Sequence, residues 1–100
     1  MFRSGLLFSC SLLAQSAWAD ADLAKRKLCM GCHTVDKRVV GPSYREIAAR
    51  YAGQEGATAL LAEKIRQGGK GVWGPLVMPP NPRLSEEDAR KLAEWIESLQ

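Results

Sequence analysis

Cys29-Met30-Gly31-Cys32-His33 places two thiols three residues apart and an imidazole directly after the second. C-x-x-C-H is the spacing of c-type haem attachment. At the C-terminal end of a helix, two cysteines so spaced face one edge of a porphyrin and form thioethers with its two vinyl groups. The histidine that follows is carried round to the iron as an axial ligand. Three other chemistries use the same residue types. A thioredoxin-like redox pair needs a preceding strand and a βαβ context, and neither is visible. A zinc site wants four ligands, and only Cys29, Cys32 and His33 are at hand. A plain Cys29–Cys32 disulfide beside an incidental histidine stays open on the motif alone, although so short a loop constrains little.

His33 is the only histidine in the chain, so two histidines cannot ligate one iron within it. Of the three methionines, Met1 belongs to the N-terminal leader and Met30 lies between the cysteines, on the attachment side. Met78 is left as the second axial ligand. It sits in Trp73-Gly74-Pro75-Leu76-Val77-Met78-Pro79-Pro80, inside a sixteen-residue stretch from Gly68 to Arg83 with four glycines and four prolines. Loops that long within a compact domain are usually functional. Prolines fix φ and lower the entropy lost when such a loop closes over a cofactor. A methionine that merely fills a core gap is the plainer alternative.

The elements that position these residues are helical. A first helix spans about Asp22 to Met30, with acidic residues at its start. A second begins at Pro42-Ser43, carries Tyr44, Ile47, Ala48 and Tyr51 at helical spacing, and stops at Gly53. A third covers about Ala57 to Gln67, with Leu60, Leu61 and Ile65 apolar, and ends at Gly68-Gly69. In the last, Ser85 and Asp88 form a capping-box-like pair and Leu84 staples onto Ala89. Leu92, Ala93, Trp95, Ile96 and Leu99 make its apolar face. No period-2 run appears, so the fold class is all-α with almost no sheet. So small a chain can hardly offset its ordering entropy with protein atoms alone, which points to a cofactor in the core.

Residues 1–19 read as a secretory signal peptide: one basic residue, Arg3, a short apolar run from Gly5 to Leu13, and Ala17-Trp18-Ala19 before Asp20. A buried N-terminal helix is the alternative. Cleavage follows Ala19 or, as second choice, Ala21, which leaves residues 20–100 as the domain. Cys10 lies within the leader, but the apolar run before it is too short for a lipoprotein site. The chain has 100 residues, 46% hydrophobic and 25% charged, with a net charge of +3. Those figures exclude a collagen-like, disordered or multidomain protein, and the basic excess is too small for a nucleic-acid binder.

Cys29 to His33, then Val40-Gly41-Pro42-Ser43-Tyr44, Gly71-Val72-Trp73-Gly74-Pro75 and Met78-Pro79-Pro80, resemble the short bacterial class I cytochromes c of the c-551 group. The resemblance covers nearly all of residues 20–100, in order and at family spacing. It implies a small cytochrome c fold of about four helices wrapped around one covalently attached haem c. By the same resemblance the carbonyl of Pro42 meets the free ring nitrogen of His33, Trp73 and Lys64 lie near a haem propionate, and Asn81 lies near the Met78 sulfur. Leu28 stands where the family usually has glycine, and Val77 where proline is common.

An iron with His33 and Met78 on its two axial positions has no site for a substrate, so the expected role is not enzymatic. Outer-sphere electron transfer at the haem edge is what such an iron can do, with the methionine sulfur favouring the reduced state. Burial of the haem by Leu60, Leu61, Ile65 and Trp73 pushes the potential the same way. Residues 20–50 carry seven basic and four acidic side chains, and residues 85–100 carry two and five. A positive surface around Lys25-Arg26-Lys27 and Lys37-Arg38 would steer acidic redox partners, or is simply a solvated face. The resemblance implies a soluble, monomeric periplasmic electron carrier without stable membrane insertion. Its donor would be a cytochrome bc complex, and its acceptor a haem-cd nitrite reductase, a terminal oxidase or a dihaem peroxidase. The competing expectation is a ligand-binding or sensor haem protein in which Met78 leaves the iron.

Overall fold

A computed structural model of the chain describes residues 21–99. The leader expected over residues 1–19, with Cys10 and the cleavage site after Ala19, lies outside the described residues. Helix α1 runs over residues 21–26 and buries Leu23 and Ala24, while Arg26 pairs with Asp22 at 2.8 Å on its outer side. The spacing predicts helix as far as Met30, but α1 stops at residue 26 and a single 3-10 turn follows at Cys29–Gly31. The break comes at Leu28. Its φ of 66° and ψ of 17° are left-handed, which no α-helix accommodates.

Helix α2 (Tyr44–Tyr51) is held by a complete capping box. The Ser43 hydroxyl accepts from the Glu46 N–H at 3.0 Å, and the Glu46 carboxylate accepts from the Ser43 N–H at 2.8 Å. That backbone donor, with Arg38 nearby, holds the Glu46 carboxyl below the usual range. Helix α3 (Ala57–Gln67) starts and ends on left-handed glycines, Gly56 and Gly68. In α4 (Glu86–Glu97) the Ser85 hydroxyl accepts from the Asp88 N–H at 3.0 Å, and Glu86, Glu87 and Asp88 sit at the positive end of the helix dipole.

Helix α4 packs against both α3 and α2. It contributes Ala89, Leu92, Ala93, Trp95 and Ile96 to the core, against Tyr44, Ile47 and Tyr51 of α2 and Ala57, Leu61 and Ile65 of α3. Leu84 and Ala89 are buried together at its start, as the staple requires. Among the described residues sheet pairing is confined to two isolated bridges, His33 with Arg38 and Gly69 with Met78. The fold is therefore all-α, as the periodicity predicts. No helix of the described residues is long and apolar enough to cross a membrane.

Leu28 is 81% exposed, so its side chain gains no packing in return for the left-handed backbone. Leu28→Gly is expected to stabilise the haem-loaded protein by about 1 kcal/mol, read as a rise in the denaturant or thermal midpoint.

Candidate functional site

The attachment motif leaves α1 through the 3-10 turn. The N–H of His33 donates to the Cys29 carbonyl at 3.0 Å, which brings the imidazole back toward the core. There His33 Nδ1 lies 2.8 Å from the Pro42 carbonyl oxygen. A proline carbonyl only accepts, so Nδ1 carries the proton and Nε2 of the neutral ring keeps a free lone pair. Gly41 makes the approach possible. A Cβ there would stand 2.6 Å from His33 Cε1. The Gly41 N–H also donates to the Cys32 carbonyl at 2.8 Å, closing the loop onto the motif.

Met78 arrives from the other side of the chain. Gly69 and Met78 exchange both backbone hydrogen bonds, at 2.8 and 3.1 Å, so the loop folds back on the end of α3. Gly68 lies so close beneath the Met78 carbonyl that any Cβ would collide with it, and its φ of 74° is left-handed. Asn81 pins the return. Its N–H donates to the Arg66 carbonyl at 2.8 Å and its side-chain amide to the Ile65 carbonyl at 2.9 Å.

These segments line one cavity that opens to solvent. Cys29, His33 and Pro42 line one part, and Lys64, Trp73 and Met78 another. Six of the eight residues singled out from sequence therefore meet at one place. Cys32 is exposed and lies outside the lining, and Asn81 is engaged with the end of α3. Leu61, Ile65 and Trp73 line the cavity as expected, but Leu60 is on the other face of α3, in a shallow groove with Glu63 and Arg66. The remaining wall was not legible as such: Tyr44, Ile47 and Tyr51 from α2, Leu92 and Ile96 from α4. The first three share one helical face, which was the available signal.

The electrostatics suit an apolar group carrying acid substituents. Lys64 and Lys70 line the cavity; among the described residues no carboxylate does, and neither lysine is in an ion pair. At its rim the Trp73 indole takes the Arg38 and Arg50 guanidiniums at 5.8 and 5.3 Å from its centroid. Both cysteines are free thiols, and burial, aided by Cys32, pushes the Cys29 thiol up. Burial and then the two neighbouring thiols raise the Tyr44 phenol, so it stays protonated. Among the described residues no three His, Cys, Asp or Glu side chains converge on one point, so no zinc-type cluster is built. An apolar cavity with the Cys29 thiol, an oriented imidazole, a thioether and two lysines, and with Cys32 capping the turn that carries Cys29, fits haem c.

The cytochrome c family model matches residues 21–100. The chain belongs to the cytochrome c family. It is 50% identical over 93 residues to cytochrome c-551 of Pseudomonas aeruginosa, covering 91% of this chain and 88% of that one. It is also 50% identical over 91 residues to cytochrome c-552 of Nitrosomonas europaea, with the same shares covered. The crystal structure of wild-type Nitrosomonas europaea cytochrome c552 superimposes with a TM-score of 0.78, at 50% identity, covering 80% of this chain and 99% of that one. The protein is accordingly a small class I cytochrome c of the c-551 group, an electron-transport protein that binds one haem c covalently.

Gly41→Ala is expected to push the imidazole off its Pro42 hydrogen bond and to destabilise this cytochrome by about 1–3 kcal/mol. The reduced absorption bands and the unfolding midpoint of the haem-loaded protein together check it.

Proposed function

We propose that this cytochrome is a periplasmic electron carrier that exchanges single electrons with respiratory redox proteins by outer-sphere transfer at the haem edge. The observation that carries the reading is the His33 Nδ1–Pro42 bond. It leaves Nε2 as a fixed donor in the cavity that Met78 also lines. Bound there, haem c supplies an iron that alternates between two oxidation states. Cys29 and Cys32 would hold it through thioethers, and His33 Nε2 and the Met78 sulfur would ligate its iron. The Pro42 carbonyl fixes the imidazole tautomer, so the ligand does not rearrange between the two states. Lys64 and Trp73 serve the haem carboxylates. Asn81 holds the Met78 loop to α3 and, by resemblance, stands near the sulfur.

With His33 and Met78 both holding the iron, no position on it would remain for a substrate, which favours electron transfer over catalysis. Among the described residues Lys25, Lys27 and Lys37 are exposed and in no ion pair, whereas Arg26 and Arg38 are paired with Asp22 and Glu46. Those lysines steer acidic partners toward the attachment edge. A cytochrome bc complex fits as donor; a haem-cd nitrite reductase, terminal oxidase or dihaem peroxidase fits as acceptor. Residues 1–19 act as the export signal, and the carrier works as a monomer.

Optical spectra of the haem-loaded protein test the ligation. Narrow low-spin reduced bands are expected, with the weak near-red sulfur-to-iron band in the oxidised form. Met78→Ala should keep the haem attached, lose that band and bind carbon monoxide when reduced. Carbon monoxide binding by the unsubstituted protein would instead make it a ligand sensor. Replacing Cys29 and Cys32 together with alanine should leave no haem on the chain after denaturation. A pigment that survives would overturn the attachment assignment.

A further inference from the structure

The loop that brings Met78 to the cavity is tied down at its base, by the bridge to Gly69 and by Asn81. Its tip is held differently. Among the described residues the chain from Lys70 to Val77 makes one hydrogen bond, from the Gly71 N–H to the Gly74 carbonyl at 3.1 Å, and it lies within the tip itself. Val72, Leu76 and Val77 are exposed. Trp73 is the exception, half-buried, packed against the core and lining the cavity. The tip is therefore held through one indole.

Two cations stand over that ring. The Arg38 guanidinium lies 5.8 Å from its centroid and the Arg50 guanidinium 5.3 Å, both within the distance at which an indole attracts a cation. Neither arginine belongs to the Met78 loop. Arg38 is in the loop that follows the attachment motif, where its backbone forms a bridge with His33 itself. Its side chain is steadied by Glu46 at 3.4 Å, and Glu46 is fixed in turn by the capping box of α2. Arg50 stands in the last turn of the same helix. Both guanidiniums are thus carried by the half of the chain that presents His33, and the indole by the segment that presents Met78.

We infer that Arg38 and Arg50 are positioning residues of the haem centre: held over the Trp73 indole, they latch the tip of the Met78 loop to the half of the chain that carries His33. The inference rests on Met78 being an axial ligand. A loop fixed only at its base can swing about the Gly69 bridge and draw the sulfur away. Holding the tip as well limits that swing. The latch therefore sets how often Met78 leaves the iron, and not which residue ligates it.

The test uses the haem-loaded protein and cyanide. An iron with both axial positions filled takes up cyanide only after Met78 has left, so the uptake rate of the oxidised form at saturating cyanide reads the opening of the loop. The near-red band of the parent is recorded first. Its absence overturns the ligation itself; its presence leaves the latch alone at stake. Arg38→Gln and Arg50→Gln together should keep the band and speed cyanide uptake about five- to thirtyfold, the range that two surface cation–π contacts supply. The deciding comparison is made in a Trp73→Leu protein. There the same arginine changes should alter the rate by no more than about twofold, because the ring on which they act is gone. If Trp73→Leu does not retain haem, Trp73→Phe takes its place, and the arginine effect should shrink because that ring attracts cations more weakly. A parent-like rate after both arginine changes overturns the latch. An arginine effect of equal size with and without the indole overturns it too, and assigns the guanidiniums to the haem carboxylates instead.

Discussion

The hydrogen bond from His33 Nδ1 to the Pro42 carbonyl is the constraint on which the rest of the site depends. The partners are nine positions apart, and the chain between them is shaped to bring them together. The Thr34 hydroxyl donates to the Lys37 carbonyl and accepts from the Lys37 N–H, turning the loop. The Gly41 N–H closes it onto Cys32, and the N–H groups of Tyr44 and Arg45 bond the carbonyls of Thr34 and Val35. Arg45 adds an ion pair to Asp36 at 2.6 Å. Exposed pairs of this kind contribute little by themselves, so the backbone bonds carry the loop. The capping box at Ser43 then converts the loop directly into α2, and the imidazole is oriented by a helix start.

Met78 is delivered by a different device. No helix carries it; instead its neighbours are tied to the last turn of α3 by the bridge to Gly69 and by both donors of Asn81. Arg66 completes the tie with a bond from its guanidinium to the Leu84 carbonyl at 2.9 Å. Prolines on either side of Met78 reduce the freedom that folding must remove. The loop is thus stiff by composition and anchored at its return. The thioether ligation proposed for Met78 relies on that arrangement.

The two tethered segments also explain how so small a chain makes a core. Helices α2, α3 and α4 each turn part of their apolar face toward the others and part toward the cavity. Leu61, Ile65, Leu92 and Ile96 belong both to the core and to the cavity wall. In the proposed function haem c would complete the hydrophobic core, beside Lys64, Lys70 and the Trp73 indole, which has the Arg38 and Arg50 guanidiniums 5.8 and 5.3 Å from its centroid.

Much of this was legible before any coordinates. C-x-x-C-H, the lone histidine and the methionine between prolines define chemistry by residue type and local spacing. Helix starts at Ser43 and Ser85 and the stop at Gly68 follow from bonds that reach only three or four residues. Contacts across the fold were decided elsewhere. Nothing in the spacing of α3 separates Leu60 from Leu61, yet one lies in an outer groove and the other in the cavity. The amide of Asn81 chose the Ile65 carbonyl because the loop return leaves it at the end of α3. Leu28 ended α1 early, although leucine is an ordinary helix former, because the chain must turn there to present the cysteines. Periodicity and capping act along the chain and can be read from it. Which face is buried depends on where separate segments are packed together, and only the tertiary structure decides that.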